Sequence, residues 1–204
     1  MDKKVSNITV YSMEILQPFL SDFKKGFHLR LLAKIVGTTH RTVSRALKEL
    51  EKFGIVYYEI NGRNKVYYLN LRNPLTKLSI MRAESYRTFG LLSNTPLISK
   101  LYGETILTLK GRSLILFGSF ARGEQEKESD IDLLVIDKED KILREQLREF
   151  GNRHGRKMHI YFIKKKEFKQ GLKVRDNMIL ELVENHVILN NHTFFVDVLW
   201  GYYK

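Results

Sequence analysis

Val43, Ala46, Leu47 and Leu50 recur at i, i+3, i+4 and i+7 within TTHRTVSRALKELEKFG. That spacing predicts a helix with one buried stripe. A threonine cap, Thr38 or Thr39, opens it, and Gly54 closes it. Two further amphipathic helices are predicted ahead of it, VYSMEILQPFLSDF and FHLRLLAKIVG, the second closed by Gly37. Behind it, IVYYEINGRNKVYYLN holds two β-rich runs around Asn61-Gly62. Both of those residues tolerate positive φ, which predicts a hairpin. Asn73-Pro74 offers a cap followed by proline at the first helical position, and a helical pattern of mixed charge continues to about Phe89.

From Pro96 onward the pattern alternates. A helix with Ile98, Tyr102, Ile106 and Leu109 on one face precedes the apolar run SLILFGS. A second strand, DIDLLVID, a helix, DKILREQLREFGNRHG, and a third strand, KMHIYFI, follow. RDNMILELVEN reads as a helix, HVILN as a short strand and HTFFVDVLWGYY as a closing helix. Strands alternating with helices predict an α/β or α+β second domain. The expected division is residues 1–75, a helical linker over 76–95, and a second domain over 96–204.

Composition narrows the function classes. The chain has 204 residues and no cysteine, which excludes a disulfide framework and thiolate metal sites. No apolar run is long enough to span a bilayer, and MDKKVSNITVYSM lacks a leader's long apolar stretch, so a cytoplasmic protein is expected. The net charge of +12 favours polyanionic partners. Residues 1–75 carry 13 basic and 6 acidic residues, so over half of that excess lies in the first domain.

Three helices and a hairpin over roughly residues 8–72 resemble a winged helix-turn-helix domain. The resemblance implies that the third helix enters a major groove of double-stranded DNA. With the Val43–Leu50 stripe buried, its other face shows His40, Arg41, Ser44, Arg45 and Lys48, with Thr39 at its start. Arg41 and Arg45 suit bidentate contacts to guanine, and Arg63 and Lys65 near the hairpin tip suit phosphates or a minor groove. The paired tyrosines 57, 58, 67 and 68 read as sheet packing rather than base-stacking platforms. Such domains often pair on two half-sites, so a homodimer is expected, with residues 8–24 and 74–93 as candidate contacts.

The stretch LILFGSFARGEQEKESDIDLLVI carries Gly118, Ser119, Ala121, Arg122, Gly123, Ser129, Asp130 and Asp132. It closely resembles the signature of the minimal nucleotidyltransferases related to DNA polymerase β, over about residues 96–202. The implied fold is α+β, a winged helix followed by a small nucleotidyltransferase-like domain with a mixed sheet. The chemistry also follows from the residues themselves. Asp130 and Asp132 alternate along a strand, so both carboxylates leave one face and can hold Mg2+ or Mn2+. Gly118 permits close approach of a nucleoside triphosphate, with ATP expected, and Ser119 opens a helix suited to phosphate. Arg122 is either a phosphate ligand or an ion-pair partner that shapes the turn, and Ser129 joins the nucleotide-binding set.

The resemblance also implies a third carboxylate on a neighbouring strand. In KMHIYFI that position falls on His159. Three alternatives stand: His159 substitutes in catalysis beside Asp130 and Asp132, the domain binds nucleotide without transferring it, or the strand match is offset. His28, His40, His154, His186 and His192 show no metal-ligand spacing. The expected function is a DNA-binding transcriptional regulator whose second domain binds Mg-nucleoside triphosphate. The alternatives are an active nucleotidyltransferase and a catalytically dead scaffold. Some minimal nucleotidyltransferases adenylylate a helical toxin partner, so the resemblance also implies a possible protein acceptor of that kind.

Overall fold

A computed structural model describes residues 9–204. The leader reading of residues 1–8 and the first position of the candidate dimer segment lie outside the described residues. The chain divides into two compact units, residues 1–86 with 199–204, and residues 87–198.

The first unit opens with α1 (Val10–Leu16), followed by a single 3-10 turn over Gln17–Phe19. The sequence predicted one helix through Phe23. Pro18 ends it early, because proline has no N–H to donate and its ring crowds the preceding turn. A two-residue strand, β1 (Phe27–His28), leads into α2 (Leu29–Val36). His28 Nδ1 accepts the Leu31 N–H as a cap, and Gly37 ends α2 at φ +69°. Thr39, not Thr38, caps α3 (His40–Lys52) by accepting the Thr42 N–H. Val43, Ala46, Leu47 and Leu50 are all buried, as the periodicity predicts.

The hairpin comprises β2 (Val56–Asn61) and β3 (Asn64–Leu69), paired antiparallel. Its turn is Gly62-Arg63, one residue later than predicted, because Asn61 pairs with Asn64 inside the ladder. Gly62 alone of the two has positive φ, which matches the II′ preference for glycine at the first central position. β1 adds to the other edge of β3, giving the order β1-β3-β2. Phe19, Phe23, Leu32, Leu47 and Ile55 fill the core beneath. Phe19 meets Phe27 edge-on at 4.8 Å between ring centres.

α4 (Pro74–Asn94) starts at Asn73, whose Oδ1 accepts the Leu75 N–H while its Nδ2 donates to the carbonyls of Phe53 and Gly54. The helix runs five residues past the predicted end. The segment expected to be a linker is therefore one continuous helix, shared between the units at residues 86 and 87.

The second unit holds a four-stranded mixed sheet in the order β6-β5-β4-β7, formed by β4 (Ser113–Phe117), β5 (Ile131–Ile136), β6 (Met158–Ile163) and β7 (Val187–Asn190). β4 runs antiparallel to β5 and β7, and β5 runs parallel to β6. A parallel pair needs a crossover. With α5 (Pro96–Leu109) and the five-residue α6 (Gly118–Arg122) preceding it, α7 (Lys141–Arg153) supplies that crossover, capped by Asp140. Hydrogen bonds from the Leu143 and Ile142 amides, with Arg112 nearby, hold the Asp140 carboxyl below its ordinary range.

Leu114, Leu116, Ile131, Leu133 and Val135 pack with Ile98, Leu101, Leu143, Leu147 and Phe150 on one face. Ile115, Leu134 and Ile188, of opposite parity, are buried too. Burial on both faces explains why LILF and LLVI read as continuous apolar runs. α8 (Lys165–Val174) has no counterpart in the sequence prediction; its buried stripe is only Phe168 and Leu172 among lysines. α9 (Asn177–Glu184) and α10 (His192–Tyr203) complete ten α-helices among the described residues. The protein is α+β. No described helix is long and apolar enough to cross a membrane.

Candidate functional site

The site of interest lies where β4 ends. Phe117 pairs with Asp132 across the sheet, and the chain then turns at Gly118 with φ +71°. A Cβ at position 118 would overlap Asp132 Oδ2. Only glycine lets the backbone turn while lying against that carboxylate. Asp130 sits just before β5 and Asp132 is its second residue, so both leave the same side. Their side chains are 35% and 22% exposed, within reach of a solute.

The parallel register sets His159 of β6 directly opposite Asp132. Its Nδ1 lies 2.9 Å from Asp132 Oδ1, and its Nε2 lies 3.7 Å from Asp130 Oδ2. Lys157, two residues earlier, places Nζ 3.8 Å from Asp130 Oδ2. The predicted parity of Lys157, His159 and Tyr161 therefore delivers one imidazole and one ammonium to the two carboxylates. Tyr161 and Phe117 close the neighbouring wall with ring centres 5.9 Å apart.

Ser119 is half-buried after Gly118, in α6, a helix too short for a strong dipole. At that helix end the turn's own amides and the Ser119 hydroxyl are the polar groups on offer. Arg122 Nε donates to Glu124 Oε2 at 2.6 Å, an ion pair at the turn. That bond holds the guanidinium above its ordinary range, with Glu181 and Asp132 adding smaller attraction. The Ser129 hydroxyl accepts the Glu126 N–H and closes a turn in the loop before Asp130. Arg156 donates to the Ser129 carbonyl at 3.3 Å and ties that loop to the start of β6. Sequence reasoning missed Arg156 and Glu181, because neither has a local signal and both reach the loop only through tertiary structure.

Among the described residues, no group of three or more His, Cys, Asp and Glu is gathered to hold a metal ion alone. The donor chemistry nevertheless fits a hard cation. Two carboxylates face an approach kept open by Gly118, and such an ion takes its remaining ligands from water and substrate phosphates. Of the other histidines, four have structural partners, His192 Nε2 lying 2.9 Å from the Thr88 hydroxyl, while His40 is exposed on α3. His28 caps α2, His154 Nδ1 contacts the Phe150 carbonyl, and buried His186 Nδ1 contacts the Val183 carbonyl.

In the first unit, His40, Arg41, Arg45 and Lys48 are exposed along α3, with Ser44 half-buried among them. Arg41, Ser44, Arg45, Lys48, Glu49 and Lys52 line an open groove of about 440 Å³. Lys52 is an addition to the predicted set. Arg45 lies 3.7 Å from Glu49 yet is 83% exposed. Thr39 is committed to its cap. Arg63 stands exposed in the hairpin turn. Lys65 lies over the Tyr58 ring at 3.7 Å, and its contact with Tyr58 raises its pKa.

Comparison with known proteins agrees with this geometry. Residues 104–187 match the family model described as a nucleotidyltransferase domain. Over 42 residues the chain is 50% identical to a protein of Methanocaldococcus jannaschii named as a protein adenylyltransferase. That match takes in 21% of this chain and 42% of the relative. No solved structure matches the chain. Residues 104–187 are thus similar to a nucleotidyltransferase domain.

Proposed function

We propose that the second unit binds a Mg-nucleoside triphosphate, with ATP the expected nucleotide, and transfers its nucleotidyl group to an acceptor hydroxyl. The first unit, read as a winged helix, binds double-stranded DNA and makes the protein a regulator in the cytoplasm. The observation that carries the transfer reading is the meeting of Gly118, Asp130 and Asp132 at one sheet end. Transfer joins the acceptor oxygen to the α-phosphorus, breaks the α–β phosphoanhydride bond and releases pyrophosphate, while the acceptor proton passes to solvent water. A divalent ion, when bound, offsets the phosphate charge. Asp130 and Asp132 would hold that ion. Gly118 admits the triphosphate, Ser119 donates to a phosphate oxygen, and His159 orients Asp132 through Nδ1. The name of the matched relative favours a protein acceptor, and a helical toxin-type partner fits that class.

His159→Asp tests the third position. It replaces an imidazole beside two carboxylates with a hard oxygen ligand, so Mg2+ affinity should rise about tenfold and transfer should quicken. Calorimetric titration of Mg2+ reads this directly. Unchanged or weaker Mg2+ binding would show that position 159 is not a third ligand position.

The exposed cations of α3 and the hairpin turn support the DNA reading. Arg45→Ala should weaken binding to the preferred site by about 1–3 kcal/mol and relax its sequence preference. Arg63→Ala should weaken binding to most sequences alike and lower the salt slope by about 1. Absence of salt-dependent duplex binding by the full chain would overturn this reading. Two copies would match paired half-sites, and exposed Leu75 and Leu78 on α4 suit that contact. Sedimentation as a 24.0 kDa species at tens of micromolar would exclude the dimer.

A further inference from the structure

The first unit contains a second concave site, apart from the α3 groove. It is a cleft of about 560 Å³, a size that suits a small ligand, lined by Lys24, Tyr57, Tyr68, Arg72, Tyr203 and Lys204 among others. Four of its lining residues are aromatic, three are cationic, and none carries an acidic side chain. Among the described residues, none of those three cations is in an ion pair, which leaves their charge available to an anion.

The walls are built in advance. Tyr57 and Tyr68 stack across the hairpin at 5.7 Å and 26°. The Tyr68 ring lies so close over Gly26 that a Cβ there would overlap it, which fixes the ring in place. Tyr203 is backed by buried Phe23 at 5.0 Å between ring centres. Asn70 donates to the Gly54 carbonyl and accepts the Arg72 N–H, so the turn presenting Arg72 is fixed at both ends. Tyr57 remains 45% exposed at the mouth, with ring surface free for stacking.

We infer that this cleft binds a nucleobase carrying a phosphate, with the base on the tyrosine wall and the phosphate among Lys24, Arg72 and Lys204. Every base has a π-face, and base–aromatic stacking tolerates any of them, while the cations select the charged form over the bare nucleoside. The site needs no divalent ion, since its charge complement comes from side chains. It is therefore separate from the Asp130–Asp132 site, and it stands whether or not that site transfers nucleotide.

The test uses the full chain with EDTA, titrated calorimetrically with AMP, ATP, adenosine and a short oligo-dT. AMP or ATP should bind without metal, and adenosine should bind at least fivefold more weakly. Tyr57→Ala should weaken binding about fivefold or more, the range seen for a lost base stack. Tyr57→Phe should retain binding. Arg72→Ala should weaken AMP binding while leaving the melting temperature near wild type. Asp130→Asn with Asp132→Asn should change nothing in EDTA. Tighter binding of oligo-dT than AMP, still sensitive to Tyr57→Ala, would assign the cleft to a nucleotide within a single strand. No binding of any phosphate-bearing probe at millimolar concentration, or binding indifferent to both Tyr57→Ala and Arg72→Ala, would overturn the inference.

Discussion

Asp130→Asn combined with Asp132→Asn is expected to weaken metal-dependent nucleotide binding by about a hundredfold or more. The amides keep the shape of the carboxylates but remove two negative charges from the pair of acids that meets His159 at that sheet end. Both side chains are partly exposed, so the fold should survive, and duplex binding by the first unit should be unchanged. Calorimetric titration of ATP with Mg2+ measures the loss, and a DNA mobility assay serves as the control. Binding that persists in the double variant would remove these two residues from the site.

Gly118→Ala should do comparable damage by a different route. A residue with a Cβ pays about 1–2 kcal/mol at positive φ. Here the added atom would also overlap Asp132 Oδ2 and push the carboxylate away from His159. Stability should fall by about 1–3 kcal/mol, and nucleotide binding by about tenfold or more. Gly123→Ala is the matched control. Gly123 has φ +71° as well, but nothing lies within 4 Å of a Cβ there. Its cost should be confined to the backbone, with nucleotide affinity near wild type. Equal effects of the two changes would mean that the contact with Asp132 is irrelevant.

The elements with strong local signals were legible in the sequence. The buried stripe of α3 follows from 3.6-residue periodicity alone, and its boundaries from a threonine cap and a glycine stop. Asn73-Pro74 marks the start of α4 in the same way. The two aspartates were legible because strand alternation places both on one face. Other features depend on partners distant in sequence. β1 is two residues long and exists only through its pairing with β3, so nothing local announces it. The hairpin turn sits one residue late because cross-strand pairing claims Asn61. α8 was missed because two buried residues among many lysines give a weak stripe.

The site divides along the same line. Parity placed Lys157, His159 and Tyr161 on one face, but only the parallel register puts His159 opposite Asp132. Ser129 illustrates the reverse case. It stands in the motif beside Asp130, yet its hydroxyl is engaged by the Glu126 amide, a local turn that motif spacing does not reveal. The sequence places Lys65 near the hairpin tip as a cation for phosphates or a minor groove. It packs on Tyr58 because cross-strand geometry sets the two side by side.

The most direct test of nucleotidyl transfer is incubation of the full chain, with and without added protein extract or duplex DNA, in Mg2+ or Mn2+. ATP, GTP, CTP and UTP labelled at the α-phosphate are supplied in turn, with γ-labelled ATP in parallel. Covalent α-label on protein is expected, strongest with ATP, with no covalent γ-label and with loss of the signal in the Asp130→Asn, Asp132→Asn variant. No α-label with any nucleotide and either ion, or equal label with the double variant, would contradict nucleotidyl transfer.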